Sequence, residues 1–188
     1  MKPSRWRLSR WAIVIVAAII VLLTLWLWPA LNRGRYSANR VKCAANLRAI
    51  GLACIMYANA DPQGRFPDTF EHLMAAQDFT PEVFCCPASD DHPSRDAAQL
   101  SAGGHLSYIY VGNGLTKKLG NEGSSSLVIA FEALKNHQNS GMDVVFADGR
   151  VEWLDAEKGK TLQAFAKSVR GRMIRWDGKT ATVAATQP

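Results

Sequence analysis

What the first quarter of this chain lacks is negative charge. Residues 1–48 hold nine basic side chains (Lys2, Arg5, Arg7, Arg10, Arg33, Arg35, Arg40, Lys42 and Arg48) and no Asp or Glu. The rest carries thirteen basic and all sixteen acidic side chains, a balance of about −3. The net charge of +6 and the pI near 9.3 therefore belong to the N-terminal stretch. A nucleic-acid-binding domain needs its basic patch on the folded part, so no nucleic-acid partner is expected. Also missing are Gly-x-Ser-x-Gly, His-Glu-x-x-His and a glycine-rich phosphate loop, the short signatures of several hydrolase and nucleotide sites. No Asp-x-Asp-x-Asp loop is present for Ca²⁺, and no Cys-x₂₋₄-Cys pair for zinc.

Charge of either sign is absent from residues 11–31, WAIVIVAAIIVLLTLWLWPAL. About 20 apolar residues cross a bilayer core as a helix, and Trp6, Trp11, Trp26 and Trp28 stand near its two ends as an interfacial belt would. A cleavable signal peptide has a shorter apolar core and a small-x-small site, which WLWPALNRG does not offer. A retained single-pass anchor is expected at 11–31, behind a basic cytoplasmic tail at 1–10. Four basic residues precede the run and five follow it closely, so the positive-inside rule leaves orientation open.

The part beyond the anchor, 32–170, reads as one domain. Within 36–60, Cys43, Leu47, Ile50, Cys54 and Tyr57 fall at steps of 4, 3, 4 and 3, one face of an amphipathic helix. Leu47, Ile50 and Tyr57 form its packing stripe. The turn residues Pro62, Gly64 and Pro67 end that helix. A short helix is expected over 68–79, capped by Asp68 or Thr69, then a proline-rich loop, strands at 106–111 and 126–131, and a helix at 160–170. Residues 171–188 repeat a strand–Asp-Gly–strand pattern around Asp177-Gly178, as a last hairpin or a tail. The fold class is α+β, a long N-terminal helix packed on an antiparallel sheet.

The stretch HQNSGMDVVFADGRVEWL, residues 137–154, sets two apolar runs around Asp148-Gly149. A two-residue type I′ turn there pairs Phe146 with Val151 and Val144 with Trp153, gathering the large apolar groups on one face. Asp148 then serves the turn. The alternative is a Ca²⁺ site built from Asp143, Asp148 and backbone carbonyls. No cofactor is expected, and no catalytic residue: His137 has no nucleophile or second acid–base partner that the sequence names.

Cys43 and Cys54 lie about 16 Å apart along one helix, beyond the Cα separation of about 7 Å that a disulfide tolerates. Cys85 and Cys86 are adjacent, and vicinal bridges are strained. A bridge therefore ties Cys43 or Cys54 to the Cys85-Cys86-Pro87 loop; four thiols and a zinc site are the alternatives.

The order RVKCAANLRAIGLACIMYANADPQGRFP, FCCPASD, LSYIYVGNGLT and NHQNSGMDVVFADGRVEWL, over roughly residues 36–155, resembles prepilin-type, pseudopilin-like proteins with a C-terminal His-x-Asp-Gly signature, here His137, Asp148 and Gly149. The resemblance implies a pilin-like helix-on-sheet domain outside the cytoplasm. It implies an N-in anchor in the inner (cytoplasmic) membrane and a bridge between Cys43 and Cys86. It also implies a structural or interaction role related to type II secretion or pilus-like assembly, with pilin-like subunits as partners. Some pseudopilins bind calcium near the sheet. The chain departs from the family in two ways. SRWRLSRWAIVIVAA has neither the Gly cleavage site nor the acidic residue of prepilins, so peptidase processing and fibre formation are not expected. Ten residues, not nine, separate His137 from Asp148. An envelope accessory or ligand-binding module on the same fold, which does not polymerise, is the runner-up. A hydrolase using His137 is a third reading.

Overall fold

The structure is a computed structural model that describes residues 10–77, 79–118, 125–169 and 173–184. Apart from Arg10, the expected basic tail lies outside these residues, as do Trp6 and parts of the 106–126 connection and the C-terminal stretch. The chain divides into two units, Met1–Ala38 and Asn39–Pro188. One helix, α1 (Arg10–Ala60), belongs to both; it runs through Pro29 and Gly34 without a break. The expected anchor at 11–31 and the expected amphipathic segment at 36–60 are parts of this one helix.

In the first unit, Trp11, Ile13, Leu22, Leu25 and Trp26 are all exposed. This part of α1 is long and apolar enough to cross a membrane, and none of its apolar window is buried.

In the second unit α1 behaves as the stripe predicts. Cys43, Leu47, Ile50 and Cys54 are buried, with Ala53 and Ala58 beside them, and Tyr57 is half-buried. Burying Leu47 and Ile50 stabilises the fold by about 2 kcal/mol each. The remaining elements are α2 (Phe70–Ala76), β1 (Tyr108–Tyr110), β2 (Leu127–Glu132), β3 (Gly141–Phe146), β4 (Val151–Asp155), α3 (Ala156–Val169), β5 (Ile174–Trp176) and β6 (Ala181–Val183). Three short 3₁₀ turns lie at Pro81–Phe84, Ala97–Gln99 and Leu134–His137. Thr69, not Asp68, caps α2, accepting from His72 N at 3.3 Å. Asp155 Oδ1 accepts from Glu157 N and Lys158 N at the start of α3, which lets that helix begin four residues before the expected Lys160.

The strands form one six-stranded antiparallel sheet in the order β4-β3-β2-β5-β6, with β1 also on β2. The final hairpin is formed: Trp176 pairs with Ala181, and Asp177 Oδ1 accepts from Lys179 N and Thr180 N in its loop.

The register of the Asp-Gly hairpin corrects the sequence reading by one residue. Val145 pairs with Val151, Val144 with Glu152 and Asp143 with Trp153. The connection is a three-residue loop, Ala147-Asp148-Gly149, in which Gly149 N donates to Phe146 O and Phe146 N to Arg150 O. Gly149 alone takes positive φ, +79°. A type I turn followed by one left-handed residue needs nothing more. Apolar sorting misread the register because both faces are covered. Val145 and Val151 belong to the core that includes Leu47 and Ile50 of α1. Met142, Val144, Phe146 and Leu154 belong to a second core with Leu162 of α3. Along β3 every residue is buried, so either register places apolar groups against a partner.

Candidate functional site

Cys43 and Cys86 are joined by a disulfide. Cys43 comes from the buried stripe of α1. Cys86 comes from the loop after the first 3₁₀ turn, which α1 holds from two further positions. Asn46 Nδ2 donates to Cys85 O at 3.1 Å and Asn39 Nδ2 to Pro87 O at 3.3 Å. Ser107 N donates to Phe84 O at 3.0 Å from the start of β1's approach. The loop is thus fixed by hydrogen bonds as well as by sulfur.

Against this bridge lies a buried polar group drawn from β2, β3 and the 3₁₀ turn between them. His137 Nε2 is 3.8 Å from Cys86 Sγ and 3.1 Å from Glu132 Oε2, with both the His137 and Glu132 side chains fully buried. Glu132 Oε2 also accepts from Asp143 N at 3.1 Å. Glu132 Oε1 and Asp143 Oδ2 have no hydrogen-bond partner among the described residues. Trp153, opposite Asp143 in the sheet, meets the His137 ring edge-on at 5.5 Å between centroids. The Arg40 guanidinium lies over that indole, 3.7 Å from the ring centroid. Burial, and then the neighbouring Glu132 carboxylate, push the Asp143 carboxyl up to about 7; Arg40 and His137 oppose them.

The 137–154 stretch therefore does two unrelated things. Asp148 is committed to its turn: Oδ1 accepts from Arg150 N at 2.9 Å and Oδ2 lies 3.8 Å from Arg150 Nε. Arg150 also pairs with Glu152 and lies 4.1 Å over the Phe146 ring. Asp143 sits at the other end of β3, roughly 10 Å or more away at the rise of a strand. The structure does not bring Asp143 and Asp148 together as the two carboxylates of one calcium site. His137 and Gly149 are likewise separate, one beside the disulfide and one in the hairpin loop.

In comparisons with known proteins, no family model, no curated protein and no solved structure matches the chain.

The two remaining cysteines, Cys54 and Cys85, are buried. Burial pushes the Cys54 thiol far up, and burial with nearby Asp91 and Glu82 raises Cys85 to about 11; a thiol nucleophile needs the opposite shift. Cys85 Sγ donates to His105 O at 3.5 Å. Beside Cys86 opens a cavity of about 350 Å³, lined among others by Lys42, Asn46, Glu82, Cys85 and Asp91.

Sequence reasoning missed Glu132, Arg40 and Trp153 as members of this group. One signal was present: LVIAFE ends an apolar strand on a carboxylate, and all six positions are buried. A buried carboxylate requires a partner, and its partner is His137.

Proposed function

We propose that the chain is a membrane-anchored, pseudopilin-like structural or interaction protein of a cell envelope, held in the inner membrane by Trp11–Leu31 with residues 39–188 outside the cytoplasm. It belongs, on this reading, to a type II secretion or pilus-like assembly, and its work is contact rather than catalysis. The observation that carries the proposal is α1. A single helix presents an exposed apolar stretch in its first half and, in its second, the stripe Cys43, Leu47, Ile50 and Cys54 buried against an antiparallel sheet. The Cys43–Cys86 bridge supports the orientation, because disulfides persist in oxidising compartments. Partner contact would run through the lipid-facing side of 11–31.

The cavity beside Cys86 favours a second reading, an envelope accessory module that binds a small ligand on the same fold and does not polymerise.

Photo-crosslinking of the full chain in its native membrane, with the probe at Leu23, tests the first reading. Adducts to a second copy or to another single-helix subunit are expected. A probe that labels lipid alone, on a chain recovered only as monomer, overturns it and leaves the accessory reading.

A further inference from the structure

The disulfide and its polar neighbours have a second arrangement built into them. One ligand atom each from Cys43, Cys86, Glu132 and His137 lies within 4.8 Å of the other three, and all four residues are buried. We propose that these four side chains are a redox-gated site for a thiophilic divalent cation of the zinc class: closed by the disulfide when oxidised, and a tetrahedral S₂NO site once a dithiol donor reduces it.

Geometry favours this. With metal–ligand bonds of about 2.0–2.3 Å, the edges of a tetrahedral site measure about 3.3–3.8 Å. The His137 Nε2 to Cys86 Sγ distance is 3.8 Å and that from His137 Nε2 to Glu132 Oε2 is 3.1 Å. Both already approximate edges of such a site. The remaining ligand atoms lie within 4.8 Å of one another; the two bonded sulfurs must part, and reduction is what permits it. Asn39 and Asn46 keep the Cys86 loop on α1 when the covalent bond is gone.

A second, independent observation points to a ligand. The Glu132 side chain is fully buried, and its Oε1 has no hydrogen-bond partner among the described residues. A carboxylate with an unsatisfied oxygen in the interior is costly, and a dication held by that carboxylate offsets its charge. Two thiolates, a carboxylate and a dication leave one net negative charge, with the Arg40 guanidinium close by over Trp153. Thiolate and imidazole select zinc-class ions over calcium or magnesium. The cavity beside Cys86, with Glu82 and Asp91 in its wall, gives a cation an approach to Cys86.

The step balances. The dithiol donor gives two electrons and two protons to the Cys43–Cys86 bond and becomes a disulfide. The two thiols formed lose both protons as the metal binds. The net reaction converts a protein disulfide, a dithiol and a dication into a metal dithiolate, a donor disulfide and two protons.

The test uses the full chain in detergent with Cys54→Ala and Cys85→Ala, which removes the two other thiols and leaves the site intact. Cobalt(II) is titrated before and after reduction by a phosphine. Reduced protein is expected to bind one cobalt, with the visible absorption of a tetrahedral thiolate complex and a sulfur-to-metal charge-transfer band; oxidised protein is expected to show neither. His137→Ala should weaken binding by about 100-fold, at least the loss seen when a supporting group of a metal ligand is removed. Reduced protein without the charge-transfer band, or equal binding in both redox states, overturns the proposal. If His137→Ala does not fold, the redox comparison on the folded parent decides alone.

Discussion

Gly51 of α1 lies directly against Val145 of β3: a Cβ on Gly51 would stand 2.5 Å from Val145 Cγ2. Here a glycine lets the helix approach the sheet in the core that includes Leu47 and Ile50. Leucine is a good helix former, so Gly51→Leu carries no helix-propensity penalty, and any loss reports overpacking. We expect a loss of about 2 kcal/mol, read as a lower urea midpoint at unchanged m-value. Val145→Ala in the same chain should restore part of it. Additive losses in the double variant would contradict the contact.

The Cys43–Cys86 bridge closes a loop with a sequence separation of 43. Chain-entropy reasoning assigns a loop of that size about 4 kcal/mol, with typical measured values of about 2–4. Reduction in the presence of a chelator, or Cys86→Ser, should therefore lower stability by that amount in denaturant unfolding. A loss below about 1 kcal/mol would mean that Asn39 and Asn46 hold the loop without help.

Asp143 makes stability depend on pH in an unusual direction for a carboxylate. Its native value, near 7, stands above the ordinary 3.8. The native state therefore binds more protons than the unfolded state between about pH 4 and 7, and stability falls as pH rises through that window. With screening allowed for, the fall is on the order of 2 kcal/mol. Denaturant midpoints of the oxidised protein from pH 4.5 to 8 should show it, and Asp143→Asn should flatten the slope. A slope that survives in Asp143→Asn assigns the effect elsewhere.

Gly149, at φ +79°, is the left-handed residue of the Asp-Gly loop. Gly149→Ala should cost about 1 kcal/mol, and Gly149→Asn less, because Asn tolerates that region. Thermal melts of the two variants give the order. Equal losses would show that the space beside Leu52 and Ile55, rather than φ, is what matters there.

These sites differ in how far the sequence exposes them. The stripe from Cys43 to Tyr57 could be read from spacing because a helix repeats its face every three to four residues. The hairpin at Asp148-Gly149 could be located but not registered: Val144, Val145 and Phe146 are all apolar, and with α1 on one face and α3 on the other each has somewhere to go. The group around His137 was invisible as a group. Glu132 meets His137 across a turn, Cys43 comes from 94 positions earlier in the chain, and Arg40 reaches Trp153 from a helix position outside the Cys43–Tyr57 stripe. Periodicity carries no information about such meetings; only the sheet register and the helix placement create them.

The position of β2 sets a timetable for making the protein. One edge of β2 pairs with β3, and the other is shared between β1 and β5, Val128 taking Ile174 as its partner. A chain synthesised from its N-terminus therefore has its central strand in hand while residue 174 is still unmade. At about 5–20 residues per second the stretch from Glu132 to Ala184 takes roughly 3–10 s. Throughout that interval Cys43, Cys54, Cys85 and Cys86 exist without the finished sheet that later buries them. The choice of Cys86 over its neighbour Cys85 is thus made either early, by the Asn39 and Asn46 contacts alone, or late, when the last hairpin docks. A bridge formed early forms before β5 and β6 exist, and one formed late forms on the finished sheet.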